Sequence, residues 1–185
     1  TSFEMLRELE GAGFTKLSVS CHLGHPLFPN VSVEKIREDV IVLREHLGKE
    51  SIGIEIFPGA EHYWDDRLME RLEKGELLPL GGDGSYYLIE FPFHDRMIHM
   101  KEIAFDLSLK GIRPILAHPE RYAILHQKPE LARIWKRAGW LLQLDLYSLI
   151  HRSDRALRKV SRLLLKQRLF TLAATDLHAP FGETS

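Results

Sequence analysis

Short runs rich in apolar and β-branched residues alternate along this chain with longer stretches whose apolar positions recur every three or four residues. The runs KLSVSCH (16–22), SIGIEIF (51–57), YYLIEF (86–91), RPILAH (113–118), WLLQLDL (140–146) and LFTLAATDLH (169–178) read as buried strands. Between the first two, residues 33–47 place Ile36, Val40, Leu43 and Leu47 on one helical face. Further amphipathic stretches cover about 65–75, 96–110, 129–138 and 153–167. Gly111 in LKGIRP and Gly139 in RAGWLL stand where helix C-caps belong, just ahead of a strand. Strands that alternate with helices pair in parallel, so the fold class is α/β: a doubly wound sheet or a (β/α) barrel.

The two ends break the rhythm. Thr1-x-x-Glu4 has the form of a capping box opening a helix with Phe3, Leu6 and Leu9 on its apolar side, yet no strand comes before it. At the other end the run reaches ATDLHAP and the sequence stops within a few residues, without a covering helix. The expectation is a single domain over residues 1–185 that lacks a first strand and a last helix.

Composition narrows the setting. Hydrophobic residues make up 44% and charged residues 28% of 185, enough for one sizeable core. The net charge of -1 gives no global field for nucleic acid or an anionic membrane. One cysteine excludes an internal disulfide framework and fits a reducing compartment. No apolar run approaches 18 residues and no signal peptide opens the chain. The reading is a soluble, cytoplasmic domain without membrane insertion.

In parallel β/α folds the chemistry collects at the C-terminal strand ends, because the loops of that face converge. Those ends carry Cys21-His22, Pro58-Gly59-Ala60-Glu61, His118-Pro119-Glu120-Arg121 and Asp176-Leu177-His178. Imidazoles and carboxylates without thiolate suit manganese, iron or zinc. Residues i and i+2 of a strand face one side, so Asp176 and His178 would ligate neighbouring ions. Each group has a plainer reading: Glu61 as a helix-start acid, Asp176 as an N-cap, Arg121 as a surface cation paired with Glu120. Ligand-type residues at four separate strand ends favour the metal site. His25 reads as a loop residue; His46 reads as solvated. His62, His94, His99, His126 and His151 read as surface or packing residues.

Other chemistries fail on spacing. A cysteine phosphatase needs C-x5-R, and the sixth residue after Cys21 is Leu27. Cys21 reads as a small buried hydrophobe. There is no G-x-S-x-G elbow and no P-loop; GGDG (81–84) precedes a strand and reads as a turn.

Taken together, SCHLGHPLFPN, PGAE, YYLIEFPF, GIRPILAHPERY, LLQLDLYSL and ATDLH, in that order, resemble the polymerase-and-histidinol-phosphatase (PHP) family. The resemblance is to its bacterial protein-tyrosine-phosphatase branch from capsule and exopolysaccharide operons. HPER followed by a distal D-x-H is its specific part; Cys21 stands where proline is usual. The resemblance implies a distorted (β/α)7 TIM-like barrel with up to three metal ions, most often manganese, with iron or zinc as alternatives. It places His22, Glu61, His118, Asp176 and His178 on metal ligands, Arg121 on the substrate phosphate, and Arg121 and His178 in catalytic roles. Two features depart from the pattern. The opening H-x-H of the first strand is absent, so that strand's metal would be weakly held or lost, and APFGETS holds no second arginine after D-x-H.

The implied reaction is hydrolysis of a phosphotyrosine monoester by metal-activated water, with Arg121 neutralising phosphoryl charge. The implied protein substrate is the tyrosine-rich tail of a bacterial autokinase. Two alternatives remain: a PHP-type phosphoesterase for small monoesters such as histidinol phosphate or a nucleotide, and a non-catalytic scaffold. The aromatic residues of LPLGGDGSYYLIEFPF read as strand packing ahead of phosphotyrosine contact.

Overall fold

Six of the apolar runs pair into one curled parallel sheet in the computed structural model, which describes residues 2–150 and 154–178. The elements are α1 (Ser2–Gly11), β1 (Lys16–Leu23), α2 (Val33–Lys49), β2 (Glu55–Tyr63), α3 (Leu68–Glu73), β3 (Tyr86–Glu90) and α4 (Met100–Leu109). They continue with β4 (Arg113–Leu116), α5 (Ala123–Gln127), α6 (Leu131–Arg137), β5 (Leu141–Asp145), α7 (Arg155–Lys166) and β6 (Leu172–Ala174). Strand order follows chain order from β1 to β6, and every pair is parallel. This is a half-barrel, not a doubly wound sheet, whose strand order would reverse at a switch point.

Local chemistry explains the helices. Ser32 caps α2 by accepting the Lys35 N–H at 3.2 Å, and Ile36, Val40 and Leu47 are buried along one face. Asp154 caps α7 by accepting the Leu157 N–H at 2.8 Å, above the buried Leu157, Val160 and Leu164. Gly111 and Gly139 end α4 and α6 at φ 75° and 112°, the left-handed turn expected of them. The capping role of Thr1 and the character of His151 fall outside the described residues.

Several boundaries move. The second strand begins at Glu55 rather than 51 and runs on to Tyr63, straight through Pro58. The Glu55 N–H donates to Thr15 in front of β1, and the Trp64 N–H donates to Glu90 of β3. Even positions of β2 therefore point their N–H toward β3, which joins the ladder only at Glu61. Proline's missing donor falls where no partner strand waits for it. The last strand shrinks to three residues, and Asp176 beyond it adopts φ 47°. Cys21 is exposed, not buried, because among the described residues β1 is an edge strand. GGDG is a turn, with Gly81, Gly82 and Gly84 all at positive φ. Sequence periodicity did not resolve the short α5 or the 3₁₀ turns Pro119–Arg121 and Leu146–Leu149.

Parallel register sorts the side chains into two faces. Ile89, Leu116 and Leu142 join the helices in the main core, with Met100, Leu107, Tyr122, Trp135 and Trp140. Leu88, Ile115 and Ala117 fill the opposite, inner face. His22 stands opposite Glu61 in register, Glu61 opposite Leu88, and Leu88 opposite Ile115, so both polar groups share the inner row. Glu90 lies two residues beyond Leu88 on that face, at the end of its strand. The inner face is thus apolar at its middle and acidic at its C-terminal rim.

Candidate metal centre

His22, Glu61 and His118 meet at that rim. His22 Nε2 lies 3.6 Å from Glu61 Oε1, and His118 Nε2 lies 3.7 Å from Glu61 Oε2. His118 Nε2 also lies 3.5 Å from Glu90 Oε1. The ligand atoms of His22, Glu61 and Glu90 all fall within 4.8 Å of one another. These separations exceed ordinary hydrogen bonds. They are close to the roughly 3.0–3.4 Å edges expected when two ligands each stand about 2.1 Å from one ion.

Arg121, in the 3₁₀ turn after β4, uses Nη2 for two ion pairs, 2.7 Å to Asp145 Oδ2 and 2.7 Å to Asp176 Oδ2. Asp145 ends β5 and is held firmly: Oδ1 accepts the Tyr147 N–H, and Oδ2 also accepts the Ser148 hydroxyl at 2.8 Å. Glu120 is fully buried and accepts the Asp145 N–H at 2.8 Å, so it supports the arginine's anchor and is not the arginine's partner. This corrects the plain reading of an Arg121–Glu120 surface pair.

Asp176 and His178 reach the site by another route than strand alternation. The backbone leaves β6 before them, and His178 Nδ1 lies 2.9 Å from the Asp176 carbonyl oxygen. The His178 ring nonetheless comes within 5.6 Å of the His22 ring, centroid to centroid. Asp176 faces Arg121. All five sequence-nominated ligands and Arg121 therefore gather at one mouth, with His22 and His118 each beside Glu61 and the C-terminal pair next to them. His118 and Asp176 both hold left-handed backbone, at φ 28° and 47°, a strain that clusters at functional sites.

Sequence reasoning missed Glu90 and Asp145. The signal was present, since each acid stands next to last in its apolar run and is the last residue of its strand. Among the histidines set aside, His62 is fully buried with Nε2 2.9 Å from the Leu78 carbonyl oxygen. His94, His99 and His46 are exposed. His25 packs in its loop against His22, Phe28 and Tyr63.

Electrostatics explains what such a mouth needs. Burial, then the neighbouring Glu61, pushes the Glu90 carboxyl up to about 7. Burial alone would lower the His118 imidazole, but the adjoining Glu61 carboxylate outweighs it and holds the ring above its ordinary value. Burial holds His22 below its ordinary value against the pull of Glu61. Among the described residues, Asp145, Asp176 and Glu90 thus share the permanent cation Arg121, and Glu61 adds its charge beside Glu90. A dianionic phosphate meets net repulsion there unless divalent cations enter first. The buried Nδ1 of His118 and Oε2 of Glu120 have no hydrogen-bond partner, further unspent polar capacity at this mouth. The donor set fits a hard or borderline divalent ion.

A curled parallel β/α sheet whose strand ends gather imidazoles, carboxylates and one arginine defines a cation-dependent site of the barrel type. The chain belongs to the capsular polysaccharide synthesis family CpsB/CapC, whose family model matches residues 1–182. It is 30% identical over 177 residues to the tyrosine-protein phosphatase YwqE of Bacillus subtilis, covering 96% of this chain and 69% of that protein. It is 29% identical over 150 residues to the tyrosine-protein phosphatase CpsB of Streptococcus pneumoniae, covering 78% of this chain and 61% of that one. A crystal structure from work on these two, described as unique metal-dependent tyrosine phosphatases, superposes with a TM-score of 0.88 at 30% identity. That match covers 96% of this chain and 71% of the other. The resemblance to the capsule branch of the PHP family, read from HPER and D-x-H, is borne out.

Proposed function

We propose that this chain is a metal-dependent protein-tyrosine phosphatase that hydrolyses phosphotyrosine monoesters. The observation that carries the reading is the contact of His22, Glu61, Glu90 and His118 beside an arginine fixed by Asp145. The relatives named above supply the reaction class. His22, Glu61, Glu90, His118, Asp176 and His178 would hold the ions, and we take manganese as the first candidate. Bound divalent ions supply an acidified water and positive charge for the phosphoryl oxygens.

The chain's own groups do the rest. Both Arg121 ion pairs use Nη2, which leaves Nη1 and Nε to donate toward phosphoryl oxygens. Asp145 fixes the plane of the guanidinium, so little side-chain freedom is lost when phosphate arrives. In this reading His178, exposed at the lip, would serve the departing phenolate oxygen as a proton donor. Phenolate has a conjugate-acid pKa of about 10, so it leaves without a strong acid.

The six-stranded curl is, in this reading, the larger part of a distorted (β/α)7 barrel, and residues 1–185 belong to one phosphatase domain. Among the described residues no helix is long and apolar enough to cross a membrane. We place the protein in the cytoplasm, acting on the tyrosine-rich tail of an autokinase. The direct test is release of phosphate from a tyrosine-phosphorylated peptide, with and without manganese after chelator treatment. Turnover that returns with manganese supports the proposal. Turnover confined to small alkyl phosphates overturns it in favour of a small-molecule phosphoesterase.

A further inference from the structure

Two exposed phenylalanine rings stand on the metal-site histidines. Phe28 is 45% exposed, and its ring stacks on His22 at 4.9 Å with an interplanar angle of 22°. Phe93 is 41% exposed and meets His118 edge-on at 5.8 Å. His22 and His118 approach the two different oxygens of the Glu61 carboxylate, so each phenylalanine lies against a histidine bordering that carboxylate. Both backbones are anchored. The Phe28 N–H donates to the His25 carbonyl at 2.9 Å, and the Phe93 carbonyl accepts the Ala123 N–H at 3.0 Å.

The other aromatic residues of YYLIEFPF have different duties. Phe91 is buried and stacks on Trp64, Tyr87 packs against His62, and Tyr86 lies at the far end of β3 beneath Arg113. Phe93 is the member of that run at the mouth, with nearly half its surface in water.

Resting on the phosphatase reading, we infer that Phe28 and Phe93 form an aromatic vice that selects aryl over alkyl phosphate esters. With the phosphoryl group on Arg121 and the cluster, an ester's first carbons must emerge between the His22 and His118 sides. A planar phenyl ring there finds one aromatic face or edge on each side; a seryl or threonyl methylene reaches neither. Aromatic pairs and cavity-free contact of this kind are worth about 3- to 10-fold in affinity per ring. Rings already held by backbone hydrogen bonds and histidine contacts lose little freedom on binding.

The test compares kcat/KM for a phosphotyrosine peptide and a phosphoserine peptide of the same flanking sequence, each with phenyl phosphate as a small reference. It uses manganese-loaded parent, Phe28→Ala and Phe93→Ala. Leaving-group reactivity is common to parent and variant, so it cancels in the variant-to-parent ratio. The expected result is a 3- to 10-fold fall in the phosphotyrosine-to-phosphoserine ratio for each variant. The fall should lie mainly in KM, be shared by phenyl phosphate, and be largely rescued by Phe28→Tyr and Phe93→Tyr. Metal content, measured in parallel, should stay within a third of the parent. An unchanged ratio overturns the inference, as does equal loss on both peptides with lost metal, which would make the rings mere props for His22 and His118. If the parent turns over neither peptide, the phosphatase reading itself has failed, a different and separable outcome.

Discussion

Arg121 couples structure to chemistry, and a double-mutant cycle with Asp145 separates the two. Its Nη2 bridges Asp145 and Asp176 at 2.7 Å each, and Asp145 is only 2% exposed. Arg121→Ala strips the counter-ion from a buried carboxylate that keeps only the Tyr147 N–H and the Ser148 hydroxyl. Loss of a charge-assisted hydrogen bond costs about 1.5–3 kcal/mol, and breaking a buried pair about 3–5. The side chain is partly exposed, so we take about 3 kcal/mol. For a domain of this size that lowers Tm by roughly 6–12 °C. Turnover should fall by about 10²–10³, the usual cost of one electrostatic stabiliser.

Adding Asp145→Asn removes the stranded charge. The double variant should therefore recover a good part of the lost Tm relative to Arg121→Ala, with a coupling of at least about 1 kcal/mol. Its turnover should stay as low as that of the single variant. Thermal melts of chelator-treated protein and phosphate release by the manganese-loaded enzyme provide the two readouts. Turnover that returned together with stability would refute the argument, because Arg121 would then serve only to neutralise Asp145. A single variant melting within 2 °C of the parent would refute the energetic half.

Three further outcomes are expected. His118→Ala should lose both bound metal and turnover, whereas Arg121→Lys should keep most of the metal; elemental analysis decides, and equal metal loss in both contradicts the division of roles. His62 is buried and held at about 4 against an ordinary 6.5. The unfolded chain thus takes up a proton first, and folded stability drops as pH falls from about 6.5 to 4, by up to about 3 kcal/mol. His62→Gln should flatten that acid limb in denaturant melts, and an unaltered slope would exclude His62 as its source. Gly59→Ala would place a methyl 2.5 Å from Ser18 Oγ and 3.0 Å from the Val19 carbonyl oxygen. Overpacking of β1 on β2 should cost about 1–3 kcal/mol, and a melt equal to the parent would show that the two strands can part.

The alternation of apolar runs with amphipathic stretches was enough to identify a parallel α/β architecture, because period two and period 3.6 are local properties of the backbone. It was enough, too, to nominate His22, Glu61, His118, Arg121, Asp176 and His178, since strand ends of one face converge in any such fold. Local pattern did not reveal the route of β2 through Pro58, which depends on where β3 begins to pair. Nor did it reveal that Glu120 points inward to Asp145 while Arg121 turns to Asp145 and Asp176. Glu90 and Asp145 read as single acids at the close of hydrophobic runs. They became part of the site only when the sheet curled and its inner row put carboxylates from separate strands beside two imidazoles and a guanidinium. Which charges face one another is a matter of distances across the sheet, and those distances are set by packing between residues far apart in the chain.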